Sequence, residues 1–188
     1  MTYETVQVRE LEGCGAEVLG LDLKSMSNRQ WDEVQRAFVE HGVIFFRDQD
    51  LTPEQHIEFA QRWGAIDINR YFPAVAGYPM IAEVRKEPTQ QKNIGERWHT
   101  DHTYAQIPAM GSILVARELP SKGGDTLFAN VYRAFETLSE GLKKTLRGLN
   151  AVHSSAHRFG TAARKASGSD HVFHNGDKVG DVLHPVVI

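Results

Sequence analysis

Arg97-Trp98-His99-Thr100-Asp101-His102-Thr103-Tyr104 is the stretch from which the rest of the chain is read, together with Gly123-Gly124-Asp125-Thr126 downstream. If residues 98–104 are extended, the side chains of His99 and Asp101 share one face, about 6.6 Å apart along the strand. One small ion fits between them. A neutral imidazole nitrogen and an ionised carboxylate, both available near pH 7, suit a divalent first-row metal such as iron. A His-x-Asp pair is a weak signal by itself, because nine histidines among 188 residues produce one by chance about half the time. Its surroundings say more. Trp98 and Tyr104 bracket the pair with large apolar surface, which predicts a partly dry pocket wall. The polar segment 86–96 before it reads as a loop of the kind that covers active sites. The Gly-Gly-Asp-Thr turn lies about 25 residues on, a distance over which a strand and turn bring Thr126 back beside the pair.

Upstream, residues 4–10 and 16–23 alternate as strands around a Gly13-Cys14-Gly15 turn. Ser27 as N-cap, then Trp31, Val34, Phe38 and His41 along one face, and Gly42 as the stop predict a helix. Val43-Ile44-Phe45-Phe46 reads as a strand buried on both faces. Thr52-Pro53-Glu54-Gln55 is a capping box that opens a second helix ending at Gly64. Residues 65–80 form an aromatic-rich loop, and 81–85 a strand. Past the His-x-Asp pair, 111–118 and 126–130 read as strands and Pro120 to Gly124 as a turn. Two short helices follow, with Leu142, Leu146 and Leu149 as a core stripe. From Ala151 the pattern thins, so His153, His157, His171 and His174 read as exposed or loop-packed. The run Leu183 to Ile188 reads as a strand just beginning.

Composition narrows the function class. Apolar residues at 41% and charged residues at 24% match ordinary globular domains and exclude wholesale disorder or a fibrous repeat. Residues 1–188 are read as a single domain. A net charge of -3 and the lack of a Lys/Arg cluster argue against nucleic acid as a partner. Cys14 is the only cysteine, which excludes an intramolecular disulfide and a thiolate zinc finger. No stretch approaches the roughly 18 apolar residues of a spanning helix, so no membrane partner is expected. The N-terminus lacks a secretory pattern, and the expected location is the cytoplasm.

Trp98-His99-Thr100-Asp101, Pro108, and Glu118-Leu119-Pro120-Ser121-Lys122-Gly123-Gly124-Asp125-Thr126 resemble the iron(II) and 2-oxoglutarate dependent taurine dioxygenase / 2,4-dichlorophenoxyacetate dioxygenase (TauD/TfdA) family. The likeness extends upstream through His41 to Phe46 and Phe59 to Gly64, and downstream to His184-Pro185-Val186-Val187. The resemblance implies a mixed α+β fold, a double-stranded β-helix (jelly roll) with flanking helices, here incomplete. It implies Fe(II), 2-oxoglutarate and O2 as cofactors, and hydroxylation of a small organic substrate with release of succinate and CO2. His99 and Asp101 would be two of three iron ligands, and Thr126 would hydrogen-bond the distal carboxylate of 2-oxoglutarate.

Departures from the family pattern shape the remaining expectations. The family's third ligand, a distal histidine, and the arginine that pairs with 2-oxoglutarate match no residue here. The sequence therefore reads as an N-terminal portion, with little turnover expected as it stands. Where taurine-specific members hold the sulfonate with histidine and tyrosine, this chain aligns Asn69 and Phe72, and a further asparagine position falls at Gly95. With Tyr104, these are the substrate-side candidates. A small organic acid, a sulfonate or sulfate ester, or an aryloxy acid fits better than taurine, with Arg70 or Arg97 as anion partner. The alternative is a non-catalytic binding protein on a partial jelly roll, whose open strand edges would favour a homo-oligomer. A weaker one is a cupin-type metal enzyme using a downstream histidine.

Overall fold

The computed structural model describes residues 2–91, 93–156 and 181–188. The chain divides into two compact units, Met1–Phe59 with Val115–Glu140, and Ala60–Leu114 with Gly141–Ile188.

In the first unit, β1 (Gln7–Glu10) and β2 (Ala16–Leu19) pair antiparallel, Gln7 opposite Leu19 and Glu10 opposite Ala16. β2 then pairs in parallel with β3 (Ile44–Phe45). A parallel neighbour requires a crossover, and helix α1 (Asn28–His41) supplies it. Ser27 and Gln30 close a reciprocal capping box at its start, and Gly42 ends it in the left-handed conformation, its N–H donating to the Phe38 carbonyl. The Ser27 cap and the Gly42 stop are those expected from the sequence. Gly15 is demanded twice over: its φ is +91°, and a Cβ there would stand 3.2 Å from the Val43 carbonyl oxygen. That oxygen accepts from Ala16 N–H at 2.9 Å and so ties the hairpin to the strand after the helix.

Trp31, Val34 and Ala37 of α1 are buried. Trp31 meets the Phe59 ring edge-on at 6.1 Å, and Phe46 does the same at 6.2 Å. Phe59 belongs to α2 (Pro53–Trp63), whose Thr52 and Gln55 make the expected reciprocal cap. Two acidic groups are buried with these apolar ones. Glu17 is flanked by Arg9 and by Arg47, the latter at 3.1 Å. The Glu33 carboxylate accepts from the backbone N–H of Glu4, Thr5 and Val6 and from the Thr5 hydroxyl, at 2.8–3.0 Å. A helix side chain thus holds down the N-terminal segment in place of a neighbouring strand.

The second unit contains the hairpin β4 (Ala74–Val75) and β5 (Tyr78–Ala82), and the antiparallel pair β6 (Asn150–His153) and β7 (Val182–Pro185). Helices α3 (Val131–Glu136) and α4 (Glu140–Arg147) precede β6.

Several expectations are corrected. Residues 98–104, 111–118 and 126–130 form no strand, and the strand expected at 81–85 lies at 78–82. A strand exists only where a ladder partner takes its N–H and C=O groups, and alternation shows the tendency without the partner. Residues 43–46 are only half-buried. The leucine stripe is not core: Leu142 is 45% and Leu149 48% exposed, and Leu146 is half-buried. Periodicity marked the apolar face but not what covers it. His153 and His184 are strand residues of β6 and β7, opposite Val182 and Ala151 respectively, whereas His157, His171 and His174 lie outside the described residues. Among the described residues no helix is long and apolar enough to cross a membrane.

Candidate metal centre

His99 and Asp101 meet although their segment is not a strand. His99 Nε2 lies 3.3 Å from Asp101 Oδ1. Two donors each about 2.1 Å from one ion and 90–110° apart are about 3.0–3.4 Å from each other, so the separation fits adjacent ligands of a first-row metal.

Hydrogen bonds prepare each donor. His99 Nδ1 faces the Arg97 carbonyl oxygen at 2.7 Å, and a carbonyl only accepts, so Nδ1 carries a proton and Nε2 is the nitrogen left to offer a lone pair to a metal. That is the tautomer a metal requires at this nitrogen. Ser112 Oγ donates to Asp101 Oδ2 at 3.1 Å. The two carboxylate oxygens are thereby divided, one toward serine and one toward histidine. Gly95, at φ +75°, places its backbone so that an added Cβ would be 3.5 Å from His99 Cε1.

After Asp101 the chain turns. His102 adopts φ +54°, and its Nδ1–H donates to Asp67 Oδ2 at 3.0 Å. Its ring lies 5.6 Å from that of Tyr104, and Tyr104 meets Tyr71 edge-on at 5.7 Å. Burial, reinforced by Tyr71 and the carboxylates of Asp67 and Asp101, pushes the Tyr104 phenol up to about 12 against the opposing pull of Arg70. Tyr104 is therefore a neutral hydroxyl throughout the physiological range.

The apolar wall expected of Trp98 is not there: that side chain is 69% exposed. Without a strand, alternation no longer dictates where it points, and the aromatic surface beside the pair comes from Tyr104 and Tyr71. The pair itself is open, with His99 at 56% and Asp101 at 59% exposure. Among the described residues no group of three or more His, Cys, Asp or Glu converges.

The family profile described as "Taurine catabolism dioxygenase TauD, TfdA family" matches residues 7–188. The chain belongs to the TauD/TfdA family. It is 32% identical over 174 residues to the (S)-phenoxypropionate/alpha-ketoglutarate-dioxygenase of Sphingobium herbicidovorans, covering 86% of this chain and 59% of that one. It is 33% identical over 147 residues to the alpha-ketoglutarate-dependent sulfate ester dioxygenase of Pseudomonas putida, covering 77% and 48%. Among solved structures, a taurine dioxygenase from Burkholderia xenovorans superposes with a TM-score of 0.68 at 34% identity, over 80% of this chain and 54% of that one. The chain thus spans about half to three-fifths of the length of these relatives. It shares their mixed α and β fold, the TauD-like jelly roll, represented among the described residues by three small sheets.

The other candidates in this TauD/TfdA chain fall as follows. Asn69 Oδ1 accepts from the backbone N–H of Tyr71 and Phe72 at 2.9 and 3.0 Å, so the asparagine also shapes its own loop. Phe72 is half-buried. Thr126 belongs to the first unit, whereas His99, Asp101, Asn69, Phe72, Gly95 and Tyr104 belong to the second. Thr126 is exposed, in a segment without helix or strand. Asp67, His102 and Ser112 were missed by sequence reasoning. His102 sits next to Asp101 and could have been singled out, but its partner 35 residues away leaves no spacing signal.

Proposed function

We propose that the chain carries part of the machinery of an Fe(II)- and 2-oxoglutarate-dependent dioxygenase, with His99 and Asp101 as iron ligands. The observation that carries this reading is the 3.3 Å approach of His99 Nε2 to Asp101 Oδ1, with the imidazole proton held at the far nitrogen. Both residue types and their tautomer fit iron(II). When bound, the metal and its keto acid cosubstrate supply the activation of O2 that hydroxylates a C–H bond.

The protein's own work is arrangement. Ser112 keeps one Asp101 oxygen occupied so that the other faces the ion. Thr126 is assigned the distal carboxylate of 2-oxoglutarate. Tyr104, as a neutral donor with an aromatic flank, stands at the substrate side with Asn69, Phe72 and Gly95. Arg70 or Arg97 receives an anionic group. Relatives named for phenoxypropionate, sulfate esters and taurine all act on small molecules with an acidic group. A small carboxylate, sulfonate, sulfate ester or aryloxy acid is therefore the assigned substrate class. The family match runs through both compact units, which supports reading residues 1–188 as belonging to one catalytic domain.

The test is anaerobic titration with Mn(II) as a stand-in for iron(II), followed by loss of the free-ion electron paramagnetic resonance signal. The wild-type chain takes up the ion, and His99→Ala and Asp101→Ala each weaken binding at least about tenfold. Variants that retain wild-type affinity would overturn the assignment.

A further inference from the structure

The turn that follows the metal pair is held from a distance. Ala105 N–H donates to the His102 carbonyl at 2.9 Å and closes the turn. The Ala105 carbonyl is in turn engaged by His184 Nε2 at 3.0 Å, from a residue 79 positions away in β7. β7 is paired along its length with β6, Ala151 opposite His184. The His184 ring is further braced by His153 of β6, the two centroids 5.3 Å apart and nearly edge-to-face. All of these residues belong to the second unit.

The chemistry of the contact is directional. Because the Ala105 carbonyl accepts, His184 Nε2 carries a proton. His184 thus holds a proton on the nitrogen that corresponds to the one His99 would offer to a metal. A protonated Nε2 cannot bind a metal, so in this arrangement His184 offers its Nε2 to the loop and not to an ion. The His153 ring fixes its tilt, and the β6–β7 ladder fixes its height.

We propose that His184 is a positioning residue for the metal centre: by gripping the Ala105 carbonyl it anchors the 102–105 turn, and with it Asp101, to the β6–β7 ladder. The inference rests on His99 and Asp101 being the ligands, but the anchor itself exists without metal. His184 and Asp67 hold the same turn at two points, the Ala105 carbonyl and the His102 ring. A turn so held keeps Asp101 near His99 before any ion arrives, which lowers the ordering cost of binding.

Two substitutions test the anchor. His184→Phe keeps a ring against His153 and removes the donor, whereas His184→Gln restores an N–H that can reach the carbonyl. In the metal-free chain, amide hydrogen exchange across residues 101–107 should accelerate about tenfold in His184→Phe and recover in His184→Gln. Mn(II) affinity should fall about tenfold in His184→Phe and return to within about threefold of wild type in His184→Gln. Loss of stability alone would not produce this rescue in a binding constant. Should His184→Phe fail to fold, the side-chain nitrogen-15 spectrum of the wild-type protein decides, because the anchor requires the proton of His184 on Nε2. A bare Nε2, or exchange and affinity unchanged in His184→Phe, overturns the proposal. If Mn(II) binds neither wild type nor variants while exchange still responds to His184, the anchor stands and the ligand assignment falls.

Discussion

Ser112 takes part in the candidate site through one hydroxyl, which donates to Asp101 Oδ2. Its side chain is otherwise exposed. Ser112→Ala should leave folding stability within about 0.5 kcal/mol, as surface substitutions do, while Mn(II) affinity falls by up to about tenfold because the carboxylate loses the bond that orients it. Thermal unfolding and the same ion titration read the two quantities separately. The contrast shows what a sequence can and cannot convey at this scale. The proximity of His99 and Asp101 was legible because two residues with complementary donor chemistry stood two apart. The strand expected for their segment does not form, yet the pair converges, because side chains two apart can meet without a ladder partner. Ser112, Asp67 and His184 were not legible as partners. Each acts across 11 to 79 residues, and contacts of that length follow from the folded path rather than from any period.

At the scale of elements, helix α1 and the segment before β1 depend on one carboxylate. Burial would push the Glu33 acid up, but hydrogen bonds from the amides of Glu4, Thr5 and Val6 and from the Thr5 hydroxyl pull it down to about 2. A glutamate in the unfolded chain titrates near 4.3. With the folded value depressed, the stabilisation is fully present above roughly pH 4.3 and is lost as pH falls through about 2. Urea midpoints measured from pH 6 to pH 2 should decline through that window in wild type. Glu33→Gln, which keeps the shape and removes the charge, should flatten the part due to this group and cost roughly 2 kcal/mol at pH 7. An unchanged profile in the variant would remove Glu33 as the anchor. Helix ends were the most readable elements, since Ser27, Gly42, Thr52 and Gln55 satisfy orphan backbone groups locally. Strands were the least readable. Residues 111–118 have a strand's alternation, but whether they pair is decided by a distant segment.

For the whole molecule, charge and surface act together. The net charge is -3 at pH 7 and the isoelectric point is near 6.3. Side chains such as Ile107, Leu114, Leu119 and Leu127 are exposed. Apolar attraction is least opposed where net charge vanishes, so light scattering across a pH series should peak near pH 6.3 and fall toward pH 8. A flat series would show that the exposed apolar groups exert no attraction between molecules. The division of Asp101's oxygens also reaches beyond the local geometry. Calcium favours oxygen-rich shells in which a carboxylate often gives both its oxygens. With His99 and Asp101 as the proposed ligands, an aspartate with one oxygen bonded to serine, next to an imidazole, would suit manganese or iron better than calcium. On the proposed assignment, the Ser112 hydroxyl would bias the choice between abundant and scarce cations without ever touching the ion.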